Sequence, residues 1–309
     1  MKIFITGANG FIGQHIKTRL EEHHIIGELT EDLREYDKVE KQVKEFNPDI
    51  IIHLAARTEV QDSFYEQISF SEINYVGTVN LIEIAASLCN LKNFLFASTM
   101  EVYGWQPISE LIKNGKECEI IAFDENTSPN PNAPYAVSKY ACEKYLEYAY
   151  RSFGLPFTVI RQTNTYGRKD NNFFVTEQII YQMLTNSKEI NLGDGEPYRN
   201  FIYIEDLLDL WEEVIKNPEK CRGEIFCIGP NNAIQIKELV NMIAEKLNWT
   251  GKVNWNTKLK RPGEIYLLNS TNNKVTEKLG WEPTTSISDG LDLTINFWKN
   301  NINTDTNLK

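Results

Sequence analysis

The chain opens with the stretch KIFITGANGFIG, residues 2–13. Residues 2–6 are apolar enough for a short buried strand, and three glycines follow them in a G-x-x-G-x-x-G spacing. The apolar residues after the second glycine keep the spacing of one helix face. A strand, a glycine turn and a helix N-terminus favour dinucleotide binding, because the glycines let the backbone approach a pyrophosphate and the helix N-terminus stabilises its charge. The candidate cofactor-binding residues here are Gly7, Asn9, Gly10, Phe11, Ile12 and Gly13.

A second strand, short and poor in apolar residues, follows the first helix. An acidic residue about 20 positions beyond the glycines is expected to hold the adenosine ribose, and Glu28 and Glu31 both stand near that position. No arginine stands at this strand end to bind a 2′-phosphate, which favours NAD over NADP without excluding NADP. Asp32 and Leu33 follow as candidate adenine contacts, although Asp32 is equally suited to cap the helix predicted over residues 36–46. Glu28, Asp32 and Leu33 are therefore candidate cofactor residues.

Two further apolar runs predict buried strands at residues 50–56 and 94–97, with a helix between them at about residues 69–89. His53 stands inside the first of these runs and is interpreted as structural. The alternation of strands and helices predicts a parallel, doubly wound α/β sheet. Small side chains after the third strand let a cofactor lie close to it. The cofactor contacts expected in this region are Leu54, Ala55, Ala56 and Asn74.

The fourth strand ends abruptly in hydroxyl and carboxylate side chains, as a strand does when it reaches a site. Further along, Tyr135 precedes Lys139 by four residues in a segment predicted to be helical through Phe153. Ionising a free tyrosine at pH 7 costs roughly 4 kcal/mol, and a nearby ammonium lowers that cost. Tyr135 is therefore expected to exchange a proton with a hydroxyl group while a hydride moves to the cofactor. Because many Tyr-x-x-x-Lys pairs lie on solvated helices, this prediction depends on the motifs that precede it.

Composition limits the classes of function. The chain has 309 residues, 41% of them hydrophobic and 24% charged, and a formal net charge of −11. That charge disfavours a nucleic-acid partner, although a few arginines could still bind an anion locally. The five cysteines follow no C-x-x-C spacing, so neither a disulfide framework nor a metal site is expected. We expect no signal peptide and no membrane span, and hence a cytoplasmic protein.

The second half of the chain is predicted to bind the substrate. After a strand at residues 157–161, we expect the dinucleotide-binding domain, residues 1–165, to give way to a smaller α/β portion, residues 166–309. The apolar segments near residues 225–229 and 200–215 are expected to return to the first domain, so that the two portions interleave.

Six motifs in this order resemble the extended short-chain dehydrogenase/reductase family, specifically its nucleotide-sugar epimerases and dehydratases. The resemblance covers nearly the whole chain and implies a Rossmann-type doubly wound sheet with a smaller C-terminal α/β substrate-binding portion. The motifs are TGANGFIG at 6–13, HLAA at 53–56, STMEVYG at 98–104, YAVSK at 135–139, RxxNxYG at 161–167 and RNFIYIED at 199–206.

The resemblance implies NAD(H) that is reduced and reoxidised within one turnover on a nucleoside-diphosphate sugar. Thr99 would bind the sugar 4-hydroxyl, Tyr135 would take its proton, and Lys139 would hold the nicotinamide ribose. The resemblance also implies a homodimer, formed as a four-helix bundle by the helices at about residues 74–89 and 135–153. The substrate-binding residues that it implies are Thr99, Met100, Asn164, Arg199 and Arg261.

Glu101 decides between reactions. A C4 epimerase needs only Thr99, Tyr135 and Lys139, whereas chemistry at C5 needs a further base. If residues 98–103 are extended, alternation puts Thr99 and Glu101 on one face. Glu101 matches the position of the base in sugar 4,6-dehydratases, where it would remove the C5 proton before water leaves from C6.

Met100 departs from that pattern, because many dehydratases place an aspartic acid there as the proton donor for the departing hydroxyl. Either Glu101 passes its proton on, or a bound water does so, or the reaction is a different one. The leading prediction is an NAD-dependent nucleotide-sugar 4,6-dehydratase, and the first alternative is a C4 epimerase. A decarboxylase or a 5,6-dehydratase is a lesser alternative, and a non-catalytic nucleotide-binding protein represents a different class.

Overall fold

The computed structural model describes residues 1–169, 171–258 and 260–302. Within these residues the chain forms thirteen strands. They are β1 (Lys2–Thr6), β2 (Ile25–Glu28), β3 (Ile50–His53), β4 (Asn93–Thr99), β5 (Phe157–Gln162), β6 (Asn164–Tyr166), β7 (Glu189–Asn191), β8 (Tyr198–Arg199), β9 (Phe201–Tyr203), β10 (Glu224–Cys227), β11 (Ile234–Gln235), β12 (Lys252–Asn254) and β13 (Leu267–Leu268).

Thirteen α-helices connect these strands in the same described ranges, together with a π-helical turn at Ser71–Val76 and a 3₁₀ turn at Met100–Tyr103. The α-helices are α1 (Phe11–Leu20), α2 (Tyr36–Phe46), α3 (Val60–Ser63), α4 (Gln67–Phe70), α5 (Gly77–Ala86), α6 (Pro107–Lys113), α7 (Pro134–Phe153), α8 (Val175–Thr185), α9 (Ile204–Lys216), α10 (Pro218–Cys221), α11 (Ile236–Leu247), α12 (Asn273–Leu279) and α13 (Ile287–Asn301).

The central sheet has six strands in the order β2-β1-β3-β4-β5-β10. All five neighbouring pairs are parallel, which confirms the predicted doubly wound α/β architecture. The chain passes from β1 to β2 on one side and then crosses to β3 on the other, so the strand order reverses at β1. Ligands of open α/β sheets bind at such a reversal, outside the carboxyl ends of the strands. The glycine turn after β1 therefore lies at the expected ligand-binding edge.

Side-chain alternation along the strands builds a core on each face of the sheet. Ile3 and Ile5 of β1 belong to a buried cluster that also contains side chains from α1, α8 and α9. Phe4, between them in sequence, faces the opposite cluster, which contains side chains from α2, α5 and α7. Strands covered by helices on both faces read as continuous apolar runs, which is why the sequence revealed them.

Two predicted elements are shorter or less regular than expected. The third strand ends at His53, so Leu54, Ala55 and Ala56 lie in the loop that follows. The helix predicted over residues 69–89 is instead α4, the π-helical turn and α5, which ends at Ala86. In the π-helical turn the backbone carbonyl of Asn74 accepts hydrogen bonds from the Thr78 hydroxyl at 2.5 Å and the Cys142 thiol at 3.2 Å. Such side-chain bonds compete with the regular helical pattern.

The second half of the chain contributes to both portions. β10 pairs with β5 and becomes the edge strand of the central sheet. Helix α9 lies against α1, where Arg19 forms ion pairs with Glu205 at 3.0 Å and with Asp209 at 2.5 Å. Smaller sheets, β11-β8-β13, β7-β12 and β6-β9, build the remainder. The domain division at residues 165 and 166 stays a prediction.

Three features of the described residues bear on the membrane, metal and disulfide expectations given above. Among them, no helix combines the length and the apolar character that a membrane crossing requires. No group of three or more His, Cys, Asp or Glu side chains in the described ranges could hold a metal ion. The five cysteines are free thiols, three of them buried.

Candidate active site

The glycine turn after β1 packs its backbone closely because the glycines have no Cβ atom. Gly7 has φ +73°, and a Cβ on it would lie 2.7 Å from the backbone nitrogen of Ala55. A Cβ on Gly13 would lie 2.1 Å from the carbonyl oxygen of Gly7. Helix α1 begins at Phe11 after Gly10, which has no side chain to cap the first N–H groups. These N–H groups suit a pyrophosphate, so the turn fits the expected dinucleotide.

The acidic residues beyond β2 have partners in the protein. Glu28 ends β2 and pairs with Lys17 at 2.5 Å. The Asp32 carboxylate accepts hydrogen bonds from the backbone and guanidinium of Arg34, and these bonds lower the pKa of Asp32 to about 2. The alternative role of Asp32 as a helix cap is wrong, because Glu35 precedes α2. Sequence reasoning overlooked Arg34, whose exposed guanidinium lies close to this predicted adenosine site.

Hydrogen bonds from the Asn74 side chain hold the loop after β3. Leu54, Ala55 and Ala56 are half-buried along the carboxyl edge of the sheet. The side-chain amide of Asn74, which is 1% exposed, bonds the backbone N–H and C=O of Arg57 at 2.8 and 3.0 Å. Asn74 therefore supports this loop from the protein side, rather than presenting a free amide to a cofactor.

His53 is structural, as predicted. Its ring nitrogens lie 2.6 Å from the Thr6 hydroxyl and 2.8 Å from the Thr78 hydroxyl, and the ring stacks on Phe96. Burial holds the pKa of His53 well below its ordinary value, with the Lys139 ammonium acting in the same direction. A neutral His53 thus links β1, β3 and α5 beneath the site.

The structure brings Thr99, Tyr135 and Lys139 together. Thr99 ends β4, and its hydroxyl is a hydrogen-bond partner of the Tyr135 phenol at the start of α7. The Lys139 ammonium, one turn along α7, donates to the carbonyl oxygen of Ala97 at 2.8 Å and lies 4.6 Å from the ring centre of Phe96. All three catalytic candidates are less than a tenth exposed.

Burial controls the protonation of this pair. It raises the pKa of Tyr135 well above its usual range, an effect that the Thr99 hydroxyl opposes and the Glu101 charge reinforces. It lowers the pKa of Lys139 to about 8, against the opposing charges of Cys142 and Glu143. Desolvation of the phenolate dominates the pKa of Tyr135 in the protein without its cofactor, and the lowering of that pKa by Lys139 stays a prediction.

Glu101 reaches the site by a different geometry from the one expected. The chain is not extended over residues 98–103: β4 ends at Thr99, and Met100–Tyr103 form a single 3₁₀ turn. The Thr99 hydroxyl caps this turn by accepting the backbone N–H of Glu101 at 3.1 Å. Burial raises the pKa of the half-buried Glu101, while the charges of Arg261 and Arg199 oppose that rise. The charge of Glu101 thus acts on the Tyr135 phenol, and the charges of Arg199 and Arg261 act on Glu101.

Met100 does not line the site. Its side chain is 2% exposed and packs into an apolar cluster with Val102, Ile265 and Leu267. The structure therefore places the Met100 side chain away from the position expected for a substrate contact. The 3₁₀ turn explains the difference, because it directs Met100 into the core beside Glu101.

The arginines predicted to bind a diphosphate occupy the C-terminal portion. Arg199 of β8 pairs with Glu264 at 2.9 Å and donates to the Tyr198 carbonyl oxygen at 2.9 Å. Arg261 is half-buried, as is Asn164 at the start of β6. Sequence reasoning did not assign Glu264, although its position three residues after Arg261 could have indicated it.

Comparison with known proteins is consistent with this site. A family model described as the NAD dependent epimerase/dehydratase family matches residues 3–229. A putative UDP-glucose 4-epimerase of Methanocaldococcus jannaschii is 29% identical, over 97% of this chain and 99% of that protein. The human dTDP-D-glucose 4,6-dehydratase is 30% identical, over 82% of this chain and 69% of that protein.

Among solved structures, the UDP-glucose 4-epimerase of Thermotoga maritima with UDP-glucose superposes with a TM-score of 0.87 at 27% identity. The match covers 98% of this chain and 100% of that one. The relatives thus include both epimerases and dehydratases. The chain belongs to the NAD-dependent epimerase/dehydratase family.

Proposed function

We propose that this protein is an NAD-dependent nucleotide-sugar 4,6-dehydratase. The proposal is supported by the electrostatic surroundings of Glu101. The charge of Glu101 raises the pKa of Tyr135, and the charges of Arg261 and Arg199 act to lower the pKa of Glu101. A nucleoside-diphosphate sugar held by its phosphates at the arginines and by its 4-hydroxyl at Tyr135 would pass beside this carboxylate. An epimerase acting at C4 has no use for a base there.

The first step belongs to Thr99, Tyr135 and Lys139. Thr99 binds the sugar 4-hydroxyl, Tyr135 takes its proton as a phenolate, and Lys139 stabilises that phenolate when the nicotinamide ribose is in place. The glycine turn, Gly7–Gly13, and the loop 54–56 would hold NAD, which would supply an acceptor and donor for the hydride that moves between C4 and C6 of the sugar.

The second step belongs to Glu101. A 4-keto group acidifies the C5 proton, and the carboxylate removes it. Because Met100 is buried and cannot donate a proton, Glu101 passes the same proton to the C6 hydroxyl, which leaves as water. The C5–H and C6–O bonds break, and an O–H bond and a C5=C6 double bond form, so this elimination balances without a second acid. When hydride adds to C6, C5 takes up a proton that Glu101 has drawn from solvent, and this is the proton that heavy water labels.

The arginines tune this base. Their positive charges oppose the rise in the pKa of Glu101 that burial causes, and a bound diphosphate would neutralise them. The pKa of Glu101 would then rise further from its already raised value, which makes the carboxylate a stronger base once the substrate is present. Arg199 would exchange its ion pair with Glu264 for a substrate phosphate, because the planar arginine guanidinium binds a phosphate as well as a carboxylate.

A C4 epimerase remains the second candidate, favoured by the buried, apolar Met100 where an acidic residue would assist dehydration. The experiment that separates the two is mass spectrometry of UDP-, dTDP-, GDP- and CDP-sugars incubated with the protein in heavy water. We expect one member to lose one water and gain one deuterium. An isomer of unchanged mass without deuterium would establish epimerisation, and no change in any member would favour a non-catalytic nucleotide-binding protein.

A further inference from the structure

Buried polar side chains connect helix α7 to the neighbouring strands behind the site. Glu143 lies one helical turn after Lys139 and is 0% exposed. Its carboxylate accepts a hydrogen bond from the Ser98 hydroxyl at 2.5 Å, one residue before Thr99. The same carboxylate accepts hydrogen bonds from Nη2 of Arg161 at 2.8 Å and from Nε of Arg161 at 3.2 Å. Helix α7, β4 and β5 are thus tied together at one buried carboxylate.

The same arginine continues the connection to the 3₁₀ turn. Its Nη1 donates to the hydroxyl of Tyr103 at 2.9 Å. That hydroxyl donates in turn to the carbonyl oxygen of Asp124 at 2.6 Å and contacts the Cys227 thiol at 2.7 Å. Tyr103 is the last residue of the turn that contains Glu101. An unbroken path of hydrogen bonds therefore runs from the helix of Tyr135 and Lys139 to the turn of Glu101.

The path joins two groups of residues that must act on adjacent carbons of one sugar. Taking charges out of water is unfavourable, and a buried ion pair is weak evidence for stability. A fully satisfied buried network does, however, restrict its elements to one arrangement. A small displacement of a catalytic group greatly slows the step that it catalyses. Rigid placement of Glu101 relative to Tyr135 would therefore increase the rate of the C5 step.

We propose that Tyr103 is a positioning residue for the C5 step: its hydroxyl, held by Arg161, fixes the Glu101 turn relative to α7. The inference rests on the proposed dehydratase function, since only C5 chemistry uses Glu101. Burial raises the pKa of the Tyr103 hydroxyl well above its usual range, so the group stays a neutral donor and acceptor. Tyr103 itself touches no reacting atom in this assignment.

The test is Tyr103→Phe, which removes the hydroxyl and keeps the ring that packs on Phe123 at 5.3 Å between ring centres. The C4 step is followed by rapid-mixing absorbance of the reduced nicotinamide, and the C5 step by the rate of deuterium uptake from heavy water. We expect an unchanged C4 rate and a C5 rate that falls at least about tenfold. The matched control is Tyr166→Phe, a tyrosine that is 2% exposed and whose hydroxyl lies 3.5 Å from the Ile287 carbonyl oxygen.

Equal losses in both steps, or no loss in either, would overturn the positioning role. A wild-type protein that isomerises its substrate without deuterium uptake would instead contradict the proposed function, and the inference with it, before any variant is compared. Should circular dichroism show that Tyr103→Phe does not fold, Arg161→Lys provides the same test. Lysine keeps the positive charge that pairs with Glu143 but lacks the planar fork that joins Glu143 to Tyr103 in a fixed geometry, so the same selective loss of the C5 rate is expected.

Discussion

The hydroxyl oxygen of Thr99 accepts a hydrogen bond from the backbone N–H of Glu101 at 3.1 Å. This bond starts the 3₁₀ turn one residue after β4 ends, and it puts the group proposed to bind the sugar 4-hydroxyl next to the proposed C5 base. The two side chains serve different steps, so variants should separate them.

Glu101→Gln should stop C5 chemistry and leave C4 oxidation intact. The amide keeps the shape of the side chain but cannot accept the C5 proton. We expect normal NAD retention, a normal reduced-nicotinamide signal on mixing with substrate, and a loss of deuterium uptake of about 10²-fold or more. The control is Glu110→Gln on α6, whose carboxylate lies on the exposed surface near Asn114. Full product formation by Glu101→Gln would remove Glu101 from the mechanism.

Lys139 should make stability depend on pH. Desolvation lowers the pKa of Lys139 to about 8 in the folded protein, below the 10.5 of a free side chain. Between these values the unfolded chain binds a proton that the native protein does not, so this contribution to stability rises with pH. The unfolding free energy of the cofactor-free protein, relative to Lys139→Met, should therefore increase by about 2.5 kcal/mol from pH 8 to about 10.5.

Urea denaturation at several pH values measures this difference. Lys41→Met, which removes a side chain that is 75% exposed, is the control for the loss of a surface lysine. A difference for Lys139→Met that does not change with pH would show that the buried ammonium keeps an ordinary pKa.

Arg199→Met should weaken substrate binding more than it slows catalysis. A charge-assisted hydrogen bond contributes about 1.5–3 kcal/mol, so the dissociation constant of the nucleoside diphosphate should rise roughly 10- to 100-fold. Isothermal titration calorimetry with UDP, dTDP, GDP and CDP would measure the change. Arg151→Met, which removes a surface guanidinium that is 67% exposed, should leave the affinity unchanged. Equal affinities for Arg199→Met and the unmodified protein would place the diphosphate elsewhere.

Gly13→Ala should abolish cofactor binding, because its Cβ would lie 2.1 Å from the carbonyl oxygen of Gly7. The turn must open to relieve this contact, and the pyrophosphate cradle is lost with it. Gly154→Ala is the matched control: Gly154 has φ +71° but open space around it, so the methyl group should cost only about 1–2 kcal/mol of stability. Fluorescence of bound NADH distinguishes the two variants, and retained binding by Gly13→Ala would exclude the turn as the cofactor site.

The predicted dimer can be tested on α7. Tyr148 and Phe153 are 42% and 58% exposed, and their rings meet edge to face at 5.6 Å beside α5. Changing both to Lys should convert a dimer into a monomer in light scattering, because apolar area at the proposed four-helix bundle is replaced by charge. Leu293→Lys on α13, a residue 50% exposed, should have no such effect. A monomeric unmodified protein would contradict the predicted bundle.

The architecture and the cofactor edge were predictable because their signals are local. Strands buried on both faces read as apolar runs, and the glycine spacing after β1 reflects close backbone approaches within a few residues. The four-residue spacing of Tyr135 and Lys139 likewise follows from helix geometry alone. Each of these signals depends on neighbours in sequence.

The features that only the tertiary structure determined involve residues that are far apart in the chain. The pairing of Arg199 with Glu264 and the fork between Arg161 and Glu143 join segments that no local pattern relates. The 3₁₀ turn that buries Met100 replaced the predicted extension, because an apolar cluster from the C-terminal portion receives that side chain. The protonation of Tyr135 and Lys139 depends on burial, which is set by packing from every side. A sequence therefore identifies the groups that can react, whereas packing determines their charge and their distance from one another.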